Sequence, residues 1–441
     1  LRTSDQAAAL RHVFFAERAV AKVPEIAGAT PRALETAGVI GGGTMGAGIA
    51  TSALLAGLQV VLIEFTKDAL KAAKGRIAGN LAGALKRGKI DQARHDHLLS
   101  EALTLSMDDG DLAEADLIIE AVFEDMDVKK QVFARLDAVA KPGAALASNT
   151  SYLDIDAIAA GTSRPKDVIG LHFFSPAHVM RLLEVVVGTE AAPDAVATGF
   201  AFAKRLGKIA VRSGMCDGFI GNRIQLTYRT AADHMILDGA SPFQIDRVVE
   251  NFGFPMGPFA VADLAGLDIG WANRKRLAPT RDSRERVPIY ADRLCEAGHF
   301  GQKTGRGYYI YGDGAKDKNP DVIELIEAER AERGISPKAF ADDDILRRYM
   351  AAMVNAAARV VGEGIARRPL DVDMVLLMGY GFPRYHGGPL KWADLEGLDA
   401  LLSDIISYAE EDAFFWQPAP LLQKLVAEGR SFDDLNKEAP A

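Results

Sequence analysis

Two hydrophobic periodicities divide the chain. From about residue 36 to 212, short apolar runs alternate with amphipathic stretches. The runs at 36–40, 59–64, 116–122, 144–148, 168–173, 183–187 and 209–211 are strand-length and predict strands. Amphipathic stretches between them predict helical crossovers, and hence a parallel α/β sheet. Beyond Phe219 the strand-like runs almost disappear and helical spacing takes over. The chain therefore reads as α/β, a Rossmann-type doubly wound sheet followed by an all-α domain. Residues 4–22 predict a leading helix, greasy at Val13, Phe14, Phe15 and Val20, which needs a surface to lie on. Its abrupt start reads as a fragment lacking an N-terminal part, or as a linker helix.

The helical region repeats itself. Gly253-Phe254-Pro255 is followed by Ala262-Asp263-Leu264-Ala265-Gly266-Leu267-Asp268, and Gly381-Phe382-Pro383 by Ala393-Asp394-Leu395-Glu396-Gly397-Leu398-Asp399. Two copies of one unit are expected to pack face to face. The boundaries that follow are a linker helix over 1–35, a sheet domain over 36–212, a first helical domain over 213–318 and a second over 319–441.

Composition narrows the class without naming a reaction. Of 441 residues, 49% are hydrophobic and 25% charged, as in a globular protein. A net charge of −9 argues against nucleic acid as the main partner. Cys216 and Cys295 alone make no disulfide framework, which fits a reducing compartment. No apolar run is long enough for a membrane span. From these features the chain is expected in a bacterial cytoplasm.

The candidate chemistry starts at the first predicted strand. Gly41, Gly43 and Gly46 form a G-x-G-x-x-G that contains Thr44 and Met45, and Glu64 follows the next apolar run. Strand, glycine turn, helix and acid-ended strand make the layout of a dinucleotide-binding unit. The helix N-terminus faces the pyrophosphate. Glu64 would accept the adenosine ribose hydroxyls and repel a 2′-phosphate, so NAD is expected over NADP.

Ser151 and His172 fall at carboxyl ends of later strands, where open sheets bind ligands. Glu184 sits among Leu182, Leu183, Val185, Val186 and Val187. A carboxylate there is costly to bury unless paired. Alone, Glu184 could equally face solvent on an edge strand, and His172 alone could be structural. Together they suit proton removal from an alcohol, because the carboxylate fixes the imidazole tautomer and stabilises the imidazolium. Asn222 stands where the helical domain begins. Glu124 and Lys129 follow the strand around Glu120 and either flank the nicotinamide ribose or decorate a helix start. Basic residues group at Lys86-Arg87 and at Arg274-Lys275-Arg276, each a candidate for a phosphorylated tail or a solvated face. The histidines show no ligand spacing, and no metal is assigned.

The segments Gly41–Gly48, Asn149-Thr150-Ser151, Gly170–Pro176, Glu184, Gly218–Arg223 and Gly301–Tyr309 resemble, in order and spacing over about 36–312, the 3-hydroxyacyl-CoA dehydrogenases. The duplicated helical domain and the segment Leu10–Lys22 resemble a narrower group, the multifunctional fatty-acid β-oxidation enzymes, whose enoyl-CoA hydratase module precedes the dehydrogenase. The resemblance implies NAD-dependent oxidation of (S)-3-hydroxyacyl-CoA to 3-oxoacyl-CoA. His172 would be the base and Glu184 its partner. Ser151 and Asn222 would bind substrate oxygens. Gly41, Gly43, Thr44, Met45, Gly46, Glu64, Glu124, Lys129, Ser151, Ser175 and Lys303 would contact NAD, with Ser175 where simpler members carry asparagine. Arg87, with Ser151, would meet the CoA moiety in place of a lysine. A hydratase module N-terminal to this segment and a thiolase subunit are the implied partners. The internal repeat would fill the place of a second subunit and leave a monomer. Two rival readings are a hydroxyacid dehydrogenase that uses a catalytic lysine, and a non-enzymatic NAD-binding relative.

Overall fold

The computed structural model describes residues 4–312 and 314–438. Eight strands form one sheet: β1 (Thr36–Ile40), β2 (Gln59–Ile63), β3 (Leu103–Ser106), β4 (Leu117–Glu120), β5 (Ala145–Ser148), β6 (Val168–Phe173), β7 (Leu182–Val186) and β8 (Ile209–Ser213). Their spatial order is β3-β2-β1-β4-β5-β6-β7-β8. β4 to β7 are buried at every position, which accounts for runs without alternation.

Two features depart from the sequence reading. β3 was not expected; it is an edge strand with no fully buried residue, so its apolar signal is weak. The sheet is also not wholly parallel, because β6 and β7 run antiparallel. Only residues 174–181 join them, too short for a crossover helix. This reversal makes His172 and Glu184 direct cross-strand partners.

The two helical copies correspond element by element. Helices Gly221–Asp238, Pro242–Phe252, Pro258–Ala265 and Leu267–Leu277 recur as Asp342–Gly362, Pro369–Gly379, Pro389–Glu396 and Leu398–Tyr408. The two long first helices pack against each other. Asp246 accepts from the Phe259 and Ala260 amides at 2.8 and 2.9 Å. Asp373 does the same for Leu390 at 2.8 Å. Further on, Asp263 receives the Tyr308 and Tyr309 amides, and Asp394 those of Phe432 and Asp433. Buried carboxylates thus satisfy backbone donors at the same places in both copies. Burial pushes Asp246 and Asp394 each up to about 6. The copies are separated by a hairpin, Tyr309–Gly312 with Ala315–Lys318, and by helix Pro320–Arg333. The hairpin was missed because its second strand, Ala-Lys-Asp-Lys, is wholly exposed.

The leading helix, Asp5–Ala19, lies on the second copy. Val13 and Val20 are buried there, but Phe14 and Phe15 point outward, so only half of the expected apolar face is covered. His12 Nε2 lies 2.8 Å from Asp373 Oδ2, and its Nδ1 3.6 Å from Asp433. Burial alone would lower its pKa; hydrogen bonds to the two aspartates outweigh burial and raise it from 6.5 to about 9. A raised histidine pKa stabilises the fold fully below pH 6.5, and the contribution fades as pH rises through 9. It amounts to about 3 kcal/mol. The melting-temperature gap between native protein and His12→Ala should therefore be wide at pH 6 and narrow above pH 9. A gap independent of pH would show that His12 is not charged in the fold.

Candidate active site

The carboxyl ends of β4, β5 and β6, the middle of β7 and the start of the helical domain come together around His172. On β6 and β7, His172 Nδ1 donates to Glu184 Oε2 at 2.6 Å. The side chains are 5% and 0% exposed. Glu184 Oε1 accepts the Gly221 amide at 3.0 Å. Both carboxylate oxygens are therefore occupied, which meets the cost of burying the charge. A carboxylate accepts only, so Nδ1 carries hydrogen and Nε2 is the nitrogen left free of Glu184. The imidazole packs against Phe174, 4.4 Å between centroids, and Phe219, 5.5 Å. Phe219 holds φ 52°, a strained conformation for a side chain of its size, in the turn that delivers Gly221 to Glu184.

At the end of β5 the Asn149-Thr150-Ser151 corner is fastened on two sides. Asn149 Oδ1 accepts the Phe173 amide at 2.9 Å, joining β5 to the histidine strand. Glu124 Oε1 accepts from the Thr150 hydroxyl at 2.6 Å and from the Ser151 amide at 2.7 Å. Lys129 lies beneath, 1% exposed, 2.6 Å from Glu120 and 3.3 Å from Glu124. Glu120 also accepts from the Ser148 hydroxyl and the Val122 amide. Lys129 is thus internal to the protein and holds the two glutamates that shape the corner. Lys129 shares the buried face of helix Met126–Val139 with Val132, Phe133 and Leu136, at helical spacing, so the helix pattern placed it inward although its charge suggested a solvated helix start.

Asn222 closes the cleft from the helical side. Its Nδ2 faces the Ser151 carbonyl at 3.5 Å, and its Oδ1 accepts the Tyr380 hydroxyl at 2.7 Å. Tyr380 belongs to the second copy and was not anticipated.

The glycine turn fits a dinucleotide. A Cβ at Gly46 would stand 1.8 Å from the Gly41 carbonyl oxygen, so only glycine lets the helix approach β1 this closely. A Cβ at Gly43 would meet nothing within 4 Å, leaving open space above the turn. Helix Thr44–Leu55 has no side-chain cap on its first amides, which leaves them for an anion. Gly43 and Thr44 are exposed and Met45 half-buried. Glu64 follows β2 and accepts the Gly42 amide at 2.6 Å, at the rim where an adenosine ribose would lie. The remaining expected residues are more scattered. Ser175 is exposed just past β6. Arg87 lies near His178, on the loop after β6; burial, then the charges of Arg87, Lys208 and Lys89, hold His178 below its ordinary value. Lys303 pairs with Asp268, and its ammonium lies over the Phe300 ring, both on the helical side.

An open sheet with a glycine turn at the end of β1, a buried imidazole–carboxylate pair on β6 and β7 and a helical domain after it is the layout of the NAD-dependent oxidoreductases. The 3-hydroxyacyl-CoA dehydrogenase NAD-binding domain matches residues 36–216, and the C-terminal domain of that family matches 218–311 and again 345–437. The chain belongs to the 3-hydroxyacyl-CoA dehydrogenase family. It is 43% identical to the peroxisomal bifunctional enzyme of Danio rerio, over 97% of this chain and 62% of that one. The chain therefore spans about three-fifths of the length of that relative. Among solved structures, 3-hydroxybutyryl-CoA dehydrogenase of Escherichia coli superposes with TM-score 0.77 at 29% identity, covering 90% of this chain and 99% of that one. The dehydrogenase part of multifunctional enzyme 1 from C. elegans gives 0.68 at 26%, covering 94% and 96%. One expectation is corrected: vertebrate and plant relatives that match are peroxisomal, which overturns the bacterial cytoplasmic assignment. Compartment is addressed by short receptor-read signals, so the fold-level composition used for that assignment carries no information on it.

Proposed function

We propose that the chain oxidises (S)-3-hydroxyacyl-CoA to 3-oxoacyl-CoA in fatty-acid β-oxidation, as the dehydrogenase segment of a multifunctional enzyme that also carries an enoyl-CoA hydratase module. The observation that carries the reading is the His172–Glu184 contact at 2.6 Å. NAD, when bound, supplies the hydride acceptor. His172 Nε2 removes the hydroxyl proton, and Glu184 stabilises the imidazolium that results. Asn222 and Ser151 hold the substrate oxygens. Arg87 and Lys89 offer cations to the CoA phosphates. Glu64 accepts the adenosine ribose hydroxyls and disfavours NADP, while Glu124, Ser175 and Lys303 complete the nucleotide side; Lys129, expected to contact NAD, is buried beneath and holds Glu120 and Glu124 in place instead. The buried imidazole–carboxylate pair favours this reading over a dehydrogenase with a catalytic lysine and over a non-enzymatic relative. A thiolase subunit is the partner that would consume a 3-oxoacyl-CoA product.

The test is NADH consumption with acetoacetyl-CoA, set beside NADPH. Turnover with NADH and little with NADPH supports the reading. No turnover from protein that still binds NADH would remove acyl-CoA from it and leave another hydroxyacid as substrate.

A further inference from the structure

We propose that Tyr380, supplied by the second helical copy, is a positioning residue of the active site that fixes the orientation of the Asn222 amide. The proposal rests on Asn222 as a substrate-binding group. An asparagine amide has a donor end and an acceptor end, and only the donor end serves a carbonyl oxygen such as that of the thioester or the 3-oxo product. The Tyr380 hydroxyl occupies Asn222 Oδ1 at 2.7 Å, while Nδ2 faces the Ser151 corner. Reversing the amide would set Oδ1 against the Ser151 carbonyl oxygen, two acceptors facing each other.

The second copy contributes this hydroxyl through a local departure from the first. From the capping Asp246 to Gly253 is seven residues, whereas from Asp373 to Gly381 is eight. Helices Pro242–Phe252 and Pro369–Gly379 are both 11 residues long. The added residue, between the helix end and Gly-Phe-Pro, is Tyr380. It is also locked in place. A Cβ on Gly221 would come within 2.4 Å of its ring, and the ring meets Phe174 edge-on at 5.6 Å. Gly221 holds Glu184, and Phe174 packs on His172, so Tyr380 touches the groups that flank both halves of the catalytic pair. Burial, then the Glu184 charge, push its phenol well above the ordinary value, so the hydroxyl stays protonated and donates. The repeat thus acts as more than a scaffold: it reaches the reacting groups through one inserted side chain.

The experiment is a double-mutant cycle on the full chain, using Tyr380→Phe, Asn222→Ala and both, with NADH and acetoacetyl-CoA. Tyr380→Phe keeps the ring and should lower kcat by about tenfold with KM within about twofold, because amide orientation counts most in the transition state. In the Asn222→Ala background it should change kcat by less than about twofold. NADH affinity and melting temperature should stay near native in Tyr380→Phe. An equal fall in both backgrounds, or an unchanged kcat, overturns the proposal while native turnover leaves the functional reading intact. If the native chain does not turn over acetoacetyl-CoA, the functional reading falls and this proposal, which rests on it, falls with it.

Discussion

His172→Gln should lower kcat for NADH-linked reduction of acetoacetyl-CoA by about 10³-fold, within the range that a positioned acid–base group contributes. Glutamine retains a polar end that can reach Glu184, so the buried carboxylate at 0% exposure keeps a partner. It offers no titratable nitrogen to the substrate. The loss should therefore fall on kcat, with NADH affinity within about twofold of native, because the glycine turn lies on β1 and its helix. Rapid-mixing NADH absorbance and equilibrium fluorescence separate the two quantities. A variant that keeps a tenth of native kcat would remove His172 as the base. One that loses NADH binding would show that the substitution disturbs the sheet instead.

Lys129→Ala should destabilise the fold by about 3–5 kcal/mol, the cost of removing one partner from a buried ion pair. Lys129 and Glu120 are 1% and 0% exposed, so water cannot replace the missing ammonium. The comparison variant is Lys129→Met with Glu120→Gln, which removes both charges and retains volume. It should recover most of the loss. Denaturant midpoints for the two variants and the native protein decide the matter. A cost below about 1 kcal/mol for Lys129→Ala would mean the pair is solvated. Because Lys129 also lies 3.3 Å from Glu124, the single variant should loosen the Ser151 corner as well.

Much of the cleft was legible because its constraints are local. The glycine turn demands particular backbone freedom within six residues, and Gly46 shows why at 1.8 Å. The His172–Glu184 pair was legible through burial cost, since a carboxylate among aliphatics calls for a partner. The antiparallel turn at β6–β7 had a signal that went unused: eight residues cannot cross over a sheet. Phe14 and Phe15 mislead in the opposite direction, being apolar yet 51% and 64% exposed.

By itself the sequence determined the class of sheet, the nucleotide turn and the repeat, because each follows from spacing along a strand or helix. Only the tertiary structure decided that Lys129 meets Glu120, that Glu184 faces His172 across an antiparallel pair, and that Tyr380 meets Asn222. Those contacts join positions 9 to 158 residues apart. Packing and desolvation of whole elements bring them together, and no local pattern records which side chains will share the same dry space.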